Sequence, residues 1–187
     1  METSAANITS VRELVDVLRK APKREGYLGI MKSLAIPDED LQRFCSWNKS
    51  HYTRNCLLRT ADVELLLICW ERGQQSPIHD FDAREVWVRP VYGRLKEERF
   101  VLRNGKPYQV SSLILDETGF SYMTEPVGLH RYSNGYESRA VSLNLYSEPV
   151  DRWNEYDEKD EIWRVRQIRF DTVFRFNEDN SYECIEV

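Results

Sequence analysis

The chain has 187 residues, with 26 Lys and Arg against 31 Asp and Glu, a net charge of −5. That length suits about one domain, the 41% of hydrophobic residues exclude a disordered chain, and the acidic balance lacks the cationic excess that a phosphate backbone requires. The longest plain apolar run, Leu65 to Trp70, is far short of the ~20 residues that span a bilayer, so neither nucleic acid nor membrane is expected as a partner.

The amino-terminal stretch carries no basic start followed by an apolar run, so no secretory signal is expected. Cys45, Cys56, Cys69 and Cys184 form no close pair of the zinc-ribbon or thioredoxin kind. Three of the four sit among apolar neighbours and read as small buried hydrophobes. A reducing cytoplasm is the setting this composition suits.

Residues 1–46 read as helical. Ser10 and Glu13 have capping-box spacing, and Val11, Leu14, Val15 and Leu18 then form one apolar stripe. Residues 26–34 suggest a second helix. Pro37 followed by three acids suggests the start of a third, with Leu41, Phe44 and Cys45 on its buried face. From residue 47 the texture is short strands and turns. Strands are expected at 53–59, 63–70, 86–92, 95–102, 108–115, 122–124, 140–146 and 168–176. Asn104-Gly105 is the strongest hairpin signal, because a type I′ turn needs positive φ at both central positions. In the last strand Ile168, Phe170, Thr172, Phe174 and Phe176 alternate with polar residues. The arginines at 164, 166 and 169 read as a solvated face, and residues 155–161 as an exposed acidic loop. The expected architecture is mainly β: a small β-barrel or sandwich carrying amino-terminal α-helices, residues 1–187 forming a single domain.

Only three histidines are present, His51, His79 and His130. His79 and His130 each enter a predicted strand from a separate motif, the layout of a cupin metal site. The chain resembles the cysteine dioxygenase family of non-haem iron cupins. The resemblance rests on Tyr52-Thr53-Arg54-Asn55, on Cys69-Trp70-Glu71-Arg72-Gly73, and on Ser76-Pro77-Ile78-His79-Asp80. It continues through Gly93-Arg94-Leu95-Lys96-Glu97, Gly128-Leu129-His130-Arg131 and the strand from Ala140 to Ser147, covering roughly residues 52–149.

The resemblance implies a jelly-roll cupin barrel and Fe(II) held by three neutral imidazoles, two from an H-x-H and one from G-L-H. It implies a small thiol or amino-acid-like substrate and O2, with oxidation of sulfur to a sulfinate in a monomeric enzyme. His79 and His130 match two metal ligands. Arg54, beside Tyr52 in the substrate-binding motif, matches the clamp on the substrate carboxylate, and Tyr146 the active-site phenol. The residue types suit these tasks: imidazole suits Fe(II) with open positions, and a guanidinium grips a carboxylate bidentately.

The departures fall in the same site. The second histidine of the H-x-H is Phe81, which cannot ligate a metal. A cysteine that in many members cross-links to the tyrosine is Val86. The histidine of the tyrosine strand is Asn144, which breaks a Ser–His–Tyr relay, and the Ser-Pro after the tyrosine is interrupted by Glu148. On an unbroken strand Glu85 shares a face with His79, so it is a candidate third ligand beside Asp82. A two-imidazole site completed by water or substrate, and no functional metal at all, are the other completions. Two functions remain: an iron-dependent thiol oxygenase with an altered inner sphere, or a metal-poor cupin that binds a small carboxylate without turnover.

Overall fold

The structure, a computed structural model, describes residues 7–21, 26–80, 83–124 and 128–187. Three short helices come first: α1 (Val11–Lys20), α2 (Tyr27–Lys32) and α3 (Asp38–Gln42). Ser10 caps α1 by accepting from the Glu13 N–H at 3.1 Å. Glu13 reaches back to the Thr9 N–H at 2.8 Å, one residue earlier than the capping-box spacing expects. Pro37 sits at the N-cap of α3, and the Asp40 carboxylate accepts from the Val11 N–H at 2.7 Å, tying α3 to the start of α1.

Thirteen strands follow among the described residues. They are β1 (Thr53–Arg59), β2 (Glu64–Trp70), β3 (Ile78–His79), β4 (Glu85–Tyr92), β5 (Leu95–Arg103), β6 (Lys106–Leu115) and β7 (Ser121–Thr124), then β8 (Leu129–Ser133), β9 (Ala140–Tyr146), β10 (Arg152–Asp157), β11 (Ile162–Gln167), β12 (Thr172–Phe176) and β13 (Tyr182–Glu186). They form a seven-stranded sheet, β13-β12-β1-β2-β9-β4-β7, and a six-stranded sheet, β11-β10-β3-β8-β5-β6. The two sheets do not close into a barrel. They form a jelly-roll sandwich, the cupin architecture.

Asn104 and Gly105 both have positive φ, 51° and 79°, as the β5–β6 hairpin demands. Three expectations are corrected. Residues 155–161 are only in part a loop: Glu155 to Asp157 complete β10, and the exposed turn is residues 158–161, leading into β11. The strand expected from Ile168 begins at Thr172. Of the cysteines, only Cys56 and Cys69 are buried; Cys45 is half-buried and Cys184 exposed.

The central strands are buried on both faces, which explains their continuous apolar runs. Along β2, Leu65, Leu67 and Cys69 point to the helices, while Leu66, Ile68 and Trp70 point between the sheets. The helices bury Leu14, Val15, Leu18, Tyr27 and Met31 against Trp87, Leu143 and Leu145, and each large side chain so buried contributes roughly 1.5–3 kcal/mol. The β9 side chains on the opposite face are Ser142, Asn144 and Tyr146, so the same strand supplies core to one side and polar groups to the other.

Candidate functional site

His79 and His130 meet between the sheets. β3 lies between β10 and β8, and its register sets His79 directly opposite His130. The ring centroids are 4.3 Å apart, and both residues are almost wholly buried. His79 Nδ1 lies 2.9 Å from the Pro77 carbonyl and His130 Nδ1 3.3 Å from the Gly128 carbonyl. A carbonyl only accepts, so these contacts assign the proton to Nδ1 and leave Nε2 as the lone-pair nitrogen in both rings. Burial pulls the His79 pKa down to about 4, against the hydrogen bond to Pro77. Burial, with His79 next to it, holds His130 well below its ordinary value. Both rings are therefore neutral at pH 7, the form in which imidazole binds a metal.

Arg54 enters from β1, paired with Ile68 on β2. Its backbone N–H donates to Asp171 Oδ2 at 2.8 Å. Its guanidinium is buried, and Nε and Nη2 have no hydrogen-bond partner. Nη2 stands 4.0 Å from Glu64 Oε1, which also lacks a hydrogen bond, while the other Glu64 oxygen is bound by Arg59. Nε and Nη2 lie on one edge of the guanidinium, the edge that grips a carboxylate bidentately. Buried donors left unmade are costly, and this pair marks the place for an anionic acceptor.

Tyr146 ends β9 with Val86 directly opposite on β4, where no thioether can form. Burial pushes its phenol pKa up, against the charge of Arg54. Behind it runs a chain of polar contacts. Trp70 Nε1 donates to Ser142 Oγ at 3.3 Å, and Ser142 Oγ donates to Asn144 Oδ1 at 2.8 Å. This hydrogen-bond chain thus leads to Asn144, an amide that does not titrate, two residues before Tyr146. Tyr52 stacks on Trp70 with centroids 4.4 Å apart, and burial raises its pKa to about 12.

Glu85 does not join the two imidazoles. β3 ends at His79 and a new strand begins at Glu85, so parity counted through the interval fails. Val86 and Val88 face the cavity, while Glu85 accepts from Tyr122 Oη at 2.5 Å. Phe81 and Asp82 lie outside the described residues. Among the described residues no set of three His, Cys, Asp or Glu could hold a metal. The donor set among the described residues is two imidazoles.

Sequence reasoning missed Trp153. Its ring lies 4.2 Å from that of His79, the Arg54 guanidinium carbon lies 5.2 Å from its centroid, and its Nε1 donates to Glu155 at 3.1 Å. The space enclosed by His79, His130, Arg54, Tyr146 and Trp153 is about 20 Å³, room for roughly one water. Trp153, Arg54 and Tyr52 also border an open groove of about 880 Å³. No motif announces this tryptophan. Its one signal is its place just past the tyrosine strand.

Comparison with known proteins gives a consistent result. A family model described as cysteine dioxygenase type I matches residues 1–159. Cysteine dioxygenase type 1 of Homo sapiens is 29% identical over 135 residues, covering 70% of this chain and 68% of its own. The Danio rerio protein of the same name is 30% identical over 137 residues, with the same two coverages. Among solved structures, a putative sugar phosphate isomerase from Acidithiobacillus ferrooxidans matches 80% of this chain and 90% of its own, with a TM-score of 0.51 at 14% identity. A Thermus thermophilus protein matches 58% of this chain and 94% of its own, with a TM-score of 0.50 at 14% identity. At such identities these two structures speak for the fold alone.

Proposed function

The chain belongs to the cysteine dioxygenase type I family, and on that premise we propose that it is a non-haem iron oxygenase for a small carboxylate-bearing thiol, with two protein ligands among the described residues instead of three. The observation that carries this reading is the buried pair of neutral imidazoles beside a guanidinium whose carboxylate-gripping edge makes no hydrogen bond, its nearest acid being Glu64 at 4.0 Å from Nη2. His79 and His130 fit two positions of Fe(II) through Nε2, and each is oriented by a carbonyl on its other nitrogen, as metal-bound imidazoles usually are. No third protein donor lies among the described residues, so His79 and His130 are the residues that would hold the iron, and its other positions would be left to water and substrate. When bound, Fe(II) supplies the redox chemistry that brings O2 to react with a thiolate.

The protein's own groups divide the remaining work. Arg54 binds and orients the substrate carboxylate. The Tyr146 phenol, kept protonated by burial, offers a hydrogen bond at the cavity wall. Val86 and Val88 exclude water from one side. The working unit proposed is a monomer, with residues 1–187 as a single domain. Four free thiols suit a reducing compartment such as the cytoplasm. No described helix is long and apolar enough to cross a membrane.

A second reading, a metal-poor cupin that binds a carboxylate without turnover, is favoured by one observation: about 20 Å³ of inner space with Trp153 packed on His79. Anaerobic loading with Fe(II), followed by iron analysis and O2 uptake with cysteine and related thiols, separates the two. The enzyme reading expects iron retention that rises when a thiol is present, and thiol-dependent O2 consumption. Absence of both overturns it. The Phe81→His variant supplies a control: it is expected to raise iron affinity by well over the roughly 10–100-fold typical of outer-shell changes. If it alone retains iron, the parent is the metal-poor binder.

A further inference from the structure

The groove outside Trp153 has a charge pattern of its own. Its floor carries Tyr52, Arg54 and the Trp153 ring, and its far wall is residues 165–171. Two acids border it, and both are engaged: Asp171 binds the His51 ring and the Arg54 N–H, and Glu155 accepts from Trp153 Nε1. Two arginines border it, Arg166 and Arg169, and neither makes an ion pair among the described residues. Their neighbour in the same basic cluster, Arg164, behaves differently and is neutralised by Asp157 and Asp160. Val187 also borders the groove, but no ion pair joins it to either arginine. The field of Arg166 reaches the floor, where it opposes the burial of the Tyr52 phenol.

Size and position decide where a ligand must lie. Arg54 lines both the inner cavity and the groove. The inner cavity has room for roughly one water, whereas about 880 Å³ falls within the usual size of a small-molecule site. The bulk of any ligand held by Arg54 therefore projects outward, toward Arg166 and Arg169. That far wall follows residue 159, where the match to the family model ends, so the shared motifs do not determine it.

We propose that this groove is a second, anion-binding subsite that holds the distal acid group of a thiol larger than cysteine, one with two carboxylates, as a short thiol peptide has. The proposal rests on the reading of Arg54 as a carboxylate clamp and deepens it by naming the substrate class. Arg54 takes one carboxylate, Arg166 and Arg169 attract the other, and Trp153 packs against the chain between them.

Titration calorimetry of the anaerobic, full-length protein tests it, with cysteine and reduced glutathione as probes. Glutathione is expected to bind at least 10-fold more tightly than cysteine, and the Arg166→Gln/Arg169→Gln double variant is expected to erase that margin. Both side chains are exposed, so the double variant folds with an unchanged melting temperature. Glutathione binding no tighter than cysteine overturns the proposal, as does a margin that survives in the double variant. Arg54→Gln separates the two readings. If it leaves cysteine binding intact, the clamp at Arg54 falls, while the glutathione margin still reports on the groove. If neither thiol binds the parent protein, both readings fall.

Discussion

Trp153 touches an imidazole on one edge and a guanidinium on the other, so truncating it should alter access to the cavity more than it alters the fold. Trp153→Ala is expected to speed diethyl pyrocarbonate modification of His79 at least 10-fold, read by peptide mass mapping, while the exposed His51 reacts at its parental rate. An unchanged His79 rate would mean that another group caps the ring. Asn55 shows how polar residues hold the site's back wall. It is fully buried, accepts from Ser46 and Thr172 at 2.6 Å each, and donates to the Leu67 carbonyl at 3.0 Å. Asn55→Ala strands three partners and should cost about 2–4 kcal/mol in denaturant melts. At this scale the motifs made much of the site legible: Tyr52, Arg54, His79, His130 and Tyr146 all line one cavity. Glu85 misled because parity holds only along an unbroken strand. Trp153 was invisible because it belongs to none of the motifs and acts through packing.

Most elements that sequence reading found are buried on at least one face, but β6 was found although almost wholly exposed, and the half-buried β8 and β10 were not. β1 and β9 were placed to the residue, since their apolar runs have clear ends. β11 and β13 are almost wholly exposed edge strands, so no alternation marks them, and their charged surfaces imitate loops. β3 is two residues long and exists only because β8 and β10 hold it from both sides. The β4–β5 turn is tighter than the sequence alone reveals. Gly93 has φ +71°, and a Cβ there would lie 2.5 Å from the Arg139 carbonyl oxygen. Gly93→Ala therefore combines left-handed strain with a backbone clash. It should cost about 3 kcal/mol or more, visible as a lower midpoint in urea.

Across the whole molecule, the helices and the seven-stranded sheet share one apolar core, so residues far apart in the chain should fail together. Leu14→Ala in α1 and Leu143→Ala in β9 are each expected to cost about 2–5 kcal/mol. Both should lower a single thermal transition followed by circular dichroism, and an early separate melting of the helices would refute a common core. The mainly β architecture, barrel or sandwich, was legible from strand density, whereas the choice between the two was not, because closure depends on edge pairings that leave no local trace. One long-range contact governs when the site takes its final form. Arg54 is anchored by Asp171, 117 residues further along, and its strand adds β12 in parallel through Asn55 and Thr172. Synthesis must therefore pass residue 171 before the guanidinium can settle, and a product stopped short of residue 171 would carry the histidines without the grip that faces them.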